Sequence, residues 1–506
     1  NRVLLTADDM EQAGAHDNMA HTMGMEDIGK IISGAKPWMR QDKVYLVSYP
    51  LNGIGQKPEA ARDLQAILNQ GVAAMNYLGH GGSTILADEN LMNAADIERT
   101  LRNQKTPFLF FAGSCTVGRN DQPNTRSLSE VLVVSAGKGA FAALAATRPT
   151  YDSPNDAFTQ ELWRQLVDNT KGRTIGEALL AAKRLGGELN LNNARYNLLG
   201  DPATILLPGG ILPSLDSIPD TLAALSKVGF AGKAGSAKAI EARLEVLPAL
   251  DTVFYRWLDG NSNPRADSQV FFQSPQQILA TLARTENGAY SVSPGLPARI
   301  PFGSKAIGAI YAWDSLTRRD GGLVTGNKLF WGTASTGGQD AEGPKISIRP
   351  CDSSWSAGVE YGKEARIPVP FCLTVGVQDS SGVSYEQGPD EGVVLSLPGI
   401  VDPWHPELRQ GADYREASAM LVLDSTMLEP GKTAQFEVSA RDLMGNLSRR
   451  RLTLVGEELS EVGLFEVFNS PNPVRRGGST AFHFKLFAEP DTNGSVSSGS
   501  SAAIRI

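Results

Sequence analysis

Near residue 207 the hydrophobic pattern changes period, and no other feature of the 506 residues constrains the fold as strongly. Up to that point short apolar runs ("RVLLTA", "KVYLVSY", "VAAMNYLG", "PFLFFAGS", "GAFAALAAT") alternate with amphipathic stretches such as "PEAARDLQAILNQ" and "LSEVLVVSAG". Runs that are apolar on both faces and joined by helical crossovers make a parallel sheet covered by helices. Residues 1–207 therefore read as an α/β domain. After "LLPGGILP" the alternation becomes strictly period two: Ala242, Leu244 and Val246 face one way, and Glu241, Arg243 and Glu245 the other. Ala434, Phe436, Val438 and Ala440 repeat it, which implies antiparallel β-sandwiches. Boundaries near "STGGQDAEGP" and "EELSEVG" divide this part into 208–340, 341–458 and 459–506. The last piece ends one short strand beyond a Ser/Gly-rich loop and reads as cut off.

Composition excludes several classes. Apolar residues make up 41% and charged residues 20%, which is ordinary for a globular protein. A net charge of -8 repels a phosphate backbone, and the one dense basic run, Arg449 to Arg451, reads as a solvated hairpin end, so no nucleic acid is expected as a partner. No apolar stretch is long enough to span a membrane. The chain opens at Asn1 without a methionine and reads as a fragment or mature segment, so a missing leader says nothing about compartment. Of three cysteines, Cys351 and Cys372 enclose a loop that suits a disulfide, with two buried thiols as the alternative. Cys115 is left over and needs its own explanation.

That explanation comes from "MNYLGHGG". His80, one of 5 histidines, follows the third apolar run, and Cys115 follows the fourth. Between them lie one loop, one helical stretch and one strand, the content of a single right-handed crossover. Both side chains then emerge at the carboxyl ends of neighbouring strands, the edge of an open α/β sheet where ligands bind. A nearby imidazole can take the proton of a thiol, and the thiolate can attack a carbonyl to give a thioester. Gly81 and Gly82 leave room for substrate to approach the backbone, and the N–H groups of Gly81 and Cys115 are candidate oxyanion donors.

"NYLGHGG", "LRNQKTPFLFFAGSCTVG", "SLSEVLV", "GAFAALAATR" and "YNLLGDPATILLP", spaced in this order over residues 1–207, resemble the gingipain-type cysteine peptidases. The resemblance implies a caspase-like fold, a dyad of His80 and Cys115, and an acidic residue at the end of "VLLTADD" that orients the histidine, Asp8 or alternatively Asp9. Farther on, "DTLAALSKVGFAGKAG", "AQFEVSARDLMGNLS" and "FNSPNPVRRGGSTAFHF" are similar to PorU-type sortases of the type IX secretion system, and "SPNPV" resembles the start of a terminal immunoglobulin-like module. This second resemblance implies work at the outer-membrane surface on secreted proteins bearing a C-terminal sorting signal. It further implies a lipopolysaccharide-type amine as acceptor and secretion components such as a PorV-type barrel as partners. A hydrolytic secreted peptidase and a silent scaffold are the competing readings.

Other signals weigh less. His16 and His21 are five apart and point about 140° apart on a helix, which disfavours zinc; the family motif places His16 near the rim of the site. No metal or cofactor is expected. "LLGDPA" reads as a turn closing the sheet, "SAGKGAFAA" lacks phosphate-loop spacing, and His405 and His483 read as solvent-facing. Arg148, Asp152 and Asn155 follow the fifth strand on the same edge as the dyad, and either line the substrate cleft or hold their own loop. The loop between Asp9 and His16 is shorter than the one that carries the Arg-selecting acid of gingipains, so trypsin-like specificity is not expected.

Overall fold

Each apolar run of the first segment is a strand whose alternate residues meet different helical layers. In the computed structural model β1 (Arg2–Ala7), β2 (Arg40–Tyr45), β3 (Ala74–Leu78), β4 (Phe108–Gly113) and β5 (Ala140–Ala146) are parallel, in the order β2-β1-β3-β4-β5. β6 (Tyr196–Leu199) closes the sheet antiparallel to β5. Of the "LLGDPA" stretch, Leu198 and Leu199 end this strand and the expected turn follows from Gly200. Described residues are 2–9, 19–103, 106–168, 173–184, 190–207, 209–234, 241–249, 251–255, 269–273, 277–314, 316–325, 328–334, 340–351, 364–387, 391–398, 401–423, 425, 427–458, 462–470, 481–488 and 502–505.

One sheet face, with Val3, Leu5, Leu109 and Phe111, packs against α1 (Ala20–Ala35); the later helices Asp152–Val167 and Ile175–Lys183 complete that layer. The opposite face, with Leu4, Met75, Tyr77 and Phe110, packs against α2 (Pro58–Gln70) and α3 (Leu128–Val134). We number the two later helices α4 and α5. Burying one Phe or Leu in such a layer contributes about 1.5 to 3 kcal/mol. Local signals agree with the packing. Pro58 opens α2, and capping boxes start α3 at Ser127 with Glu130 and α5 at Thr174 with Glu177. No described helix is long and apolar enough to cross a membrane.

Beyond residue 208 the described residues form strands joined by turns and loops, with no helix among them. Among the described residues, strands of 208–340 and of 341–458 lie in a single sheet of 13 strands, joined where Arg409–Gln410 pairs with both Leu279–Glu286 and Glu416–Leu423. A second sheet of 5 strands, from Glu364–Val369 to Leu447–Glu458, packs in the same apolar cluster. Val462–Ser470, Ala481–Ala488 and Ala502–Arg505 form a separate antiparallel sheet. Cys351 and Cys372 are bonded across adjacent antiparallel strands, with Cα atoms 5.4 Å apart.

Three expectations change in this part. Glu245 is buried rather than outward, because its face of the strand docks on the α/β domain beside Arg40. Arg449 and Arg451 lie inside a strand and straddle Glu437, while Arg450 donates to the Ile346 carbonyl at 2.6 Å. His405 is half-buried with Nδ1 3.1 Å from the Val393 carbonyl oxygen, so it is not a free solvent-facing side chain. His16 and the side chain of His483 lie outside the described residues.

The docking surface lies at the amino ends of the parallel strands. Arg2 and Arg40, paired in register at the starts of β1 and β2, hold the buried Asp42 at 2.7 and 2.8 Å. Arg40 also donates to Gln277 at 2.7 Å, and Trp38 packs on Tyr311 at 5.2 Å. One arm reaches elsewhere: the hairpin Asp251–Tyr255 with Gln269–Gln273 packs on α1, and Val253 joins the α/β core.

Candidate active site

The carboxyl ends of β3 and β4 carry the two residues singled out by the sequence. β3 ends at Leu78, and Gly79 (φ 153°) turns the chain into His80, which is exposed. A Cβ on Gly79 would lie 2.1 Å from the Cβ of Asp8, so only glycine permits that approach. β4 ends at Gly113, followed by buried Ser114 and partly exposed Cys115. The two loops touch: a Cβ on Gly81 would lie 2.6 Å from Ser114 Oγ and 2.9 Å from Val117. The space at Gly81 is therefore filled by the neighbouring loop, and it brings the segments bearing His80 and Cys115 side by side. Gly82 donates to the Ile85 carbonyl at 3.0 Å and Ala87 to that of His80 at 3.1 Å, bonds that leave the Gly81 N–H out of the hairpin. Ser83 accepts from the first N–H of α3, at Leu128, at 2.7 Å, which fixes the loop to the helix layer.

The thiol sits in a cradle made by Thr150. Its Sγ lies 3.3 Å from the Thr150 carbonyl oxygen, 3.4 Å from the Thr150 N–H and 3.9 Å from the Thr150 hydroxyl. Sequence reasoning passed over Thr150, because an unremarkable residue after β5 carries no pattern of its own. Asn155 holds this cradle: it is buried, donates to the Thr150 hydroxyl at 3.0 Å, and accepts from Asn192 at 2.9 Å and from the Tyr196 hydroxyl at 2.7 Å. It holds its own loop and does not line a cleft. Arg148, half-exposed, is paired with Asp121 at 2.7 Å.

Asp8 and Asp9 diverge although adjacent. Asp8 is buried, and its Oδ2 accepts the backbone N–H of His80 at 2.8 Å. Burial pushes its carboxyl up to about 7, against the lowering effect of that hydrogen bond and with Glu89 adding repulsion. Asp9 is buried against the Lys57 ammonium, which also donates to the Leu46 carbonyl at 2.9 Å. Asp8 thus holds the backbone of the His80 loop. With Glu89 the two form an acidic cluster in which Lys57 already supplies a cation; a second cluster, Asp340, Asp379 and Asp442, lies in the β part.

The imidazole of His80 has a partner that the sequence reading missed. His21, near the start of α1 and buried, meets it ring to ring, with centroids 5.7 Å apart and planes at 90°. Nδ1 of His21 lies 3.1 Å from Oδ1 of Asp152, the first residue of α4. That hydrogen bond holds the Asp152 carboxyl below its usual range, outweighing partial burial. The available signal was the "HDNMAH" stretch, in which His16 is placed at the rim of the site and His21 is read only against zinc.

Comparison with known proteins gives one family match and several similar solved structures. Residues 1–207 match the model of peptidase family C25. Among solved structures, the Arg-specific cysteine proteinase gingipain R is 14% identical with a TM-score of 0.34, and the match covers 64% of this chain and 66% of that one. Dimeric latent PorU from Porphyromonas gingivalis is 14% identical with a TM-score of 0.29, and the match covers 100% of this chain and 60% of that one. The chain thus spans less than two thirds of either structure. No curated protein matches it. The family that residues 1–207 match, peptidase family C25, is a family of cysteine peptidases.

Proposed function

We propose that the chain is a cysteine endopeptidase of the transpeptidase type, a sortase that removes the C-terminal sorting signal of secreted proteins and joins them to an amine at the cell surface. The observation that carries this reading is the seating of Gly81 on Ser114, which sets the loops of His80 and Cys115 against each other at the carboxyl edge of the sheet. In the proposed reaction His80 takes the proton of Cys115, and the sulfur attacks the scissile carbonyl. The N–H groups of Gly81 and Cys115 receive the oxyanion. His80 then returns the proton to the leaving amine, which departs and leaves a thioester. An acceptor amine attacks that thioester, loses a proton to His80 and expels the thiolate, so that one amide is exchanged for another. Asp8 keeps the His80 loop in place through its N–H.

An acceptor of lipopolysaccharide type, a PorV-type barrel as partner and an outer-membrane location belong to the same proposal. The Cys351–Cys372 bond supports the location, since disulfides persist in oxidising compartments. Transfer also requires that amine win over water at about 55 M, which desolvation and positioning at the thioester must supply. Intact mass spectrometry of a processed secreted substrate tests the reading. A product carrying a new amide to the acceptor is expected, and a free carboxylate as the only terminus with acceptor present identifies a hydrolase instead.

A further inference from the structure

We infer that His21, locked by Asp152, is the positioning residue for the His80 imidazole. The inference rests on the reading of His80 and Cys115 as the reacting pair and adds to it the group that sets the ring. A catalytic histidine needs something that fixes its plane and favours its protonated form, a job often done by a carboxylate on the ring itself. Asp8 does not do this here, because its hydrogen bond goes to the backbone N–H of His80. The ring contact belongs to His21, perpendicular to His80 at 5.7 Å.

Three features make this pair a built device rather than a chance neighbour. His21 has a side chain only 8% exposed, so its ring cannot swing away. Its Nδ1 is tied to Asp152 at 3.1 Å, which fixes the ring orientation and places the Nδ1 proton on the carboxylate side. Asp152, at 56% exposure, stays ionised and brings a negative charge to the far side of the pair. When His80 takes the thiol proton, the new positive charge lies against a ring backed by that carboxylate. The titratable groups facing His21 are Asp152 and Asp156 from α4, and His80 and Asp8 from the strand ends. Asp156 is held above its usual range, chiefly by burial, and it is Asp152 whose carboxylate bonds His21 Nδ1, at 3.1 Å.

The test is the rate of Cys115 alkylation by iodoacetamide across pH, read by peptide mass in the full chain and in His80→Ala, His21→Phe and Asp152→Asn. If His80 takes the thiol proton, the wild-type rate should show a low-pH limb, and His80→Ala should lose that limb. His21→Phe keeps a ring of similar size, and Asp152→Asn changes a half-exposed side chain that the fold tolerates. Each should slow the low-pH limb by about tenfold, the size typical for losing a partner that orients a histidine. The double variant should be no worse than either single one, and circular dichroism should be unchanged. A wild-type profile in both Asp152→Asn and His21→Phe overturns the inference while the dyad stands. A low-pH limb that is absent in the wild type, or survives His80→Ala, overturns the dyad and the inference with it. If His21→Phe fails to fold, Asp152→Asn alone decides.

Discussion

The two edges of the parallel sheet handle buried carboxylates in opposite ways. At the amino edge Asp42 is buried, and Arg2 and Arg40 outweigh that burial and hold it below the usual carboxylate range. At the carboxyl edge Asp8 is equally buried but has no guanidinium beside it; it accepts the His80 N–H, lies against the Tyr77 hydroxyl, and is raised by burial to about 7. The first edge is built for docking: Arg40 donates to Gln277, and the charges continue to Arg243 and Glu245 of the β part. The second carries a carboxylate raised by burial, an exposed histidine and a thiol in a backbone cradle. A carboxylate raised like Asp8 is typical of places where chemistry is done, whereas a paired one like Asp42 holds structure. The main contact of the β part with the α/β domain is thus at the edge away from Cys115, and the hairpin on α1 is the piece that approaches the helix bearing His21.

Removing one partner at each edge should break the comparison in different ways. Asp42→Ala leaves two buried guanidiniums unpaired and should cost about 3 to 5 kcal/mol in denaturant unfolding, with Cys115 reactivity intact in the folded fraction. A loss of reactivity without a loss of stability would reverse the roles assigned to the edges. Asp8→Asn should act through pH. A carboxyl at about 7 when folded and 3.8 when unfolded binds a proton on folding, so its contribution is fully present below pH 4 and is lost as pH rises through 7. The variant should match the wild type near pH 4 and exceed it at pH 8 by up to about 4 kcal/mol, at about 1.36 kcal/mol per unit. Its activity should fall only in part, since Asn can still accept the His80 N–H. Equal stability at pH 4 and pH 8 would show that Asp8 is not the strained carboxylate.

How much of this was legible follows from how local each signal is. The five parallel strands and the placement of His80 and Cys115 at neighbouring tips could be read directly, because runs apolar on both faces admit few other folds. Glu245 could not, since its burial depends on Arg40, some two hundred positions away and in another layer. The join between the two β segments was also hidden: it runs through Arg409–Gln410, a strand of two residues with no period to detect. Thr150 and His21 escaped for a related reason. Each touches one of the two candidate side chains from a different element, and the packing of α1 and the β5 loop on the sheet edge brings them there.

The central claim is that the carboxyl edge holds a nucleophile made reactive by His80. It is tested most directly by treating the protein with a peptidyl chloromethyl ketone and mapping the label. We expect the label on Cys115 in the wild type, none in Cys115→Ala and strong suppression in His80→Ala, with the fold retained in both variants. Labelling of Cys115 that is undiminished in His80→Ala, or an unlabelled Cys115 in the wild type, would contradict the account.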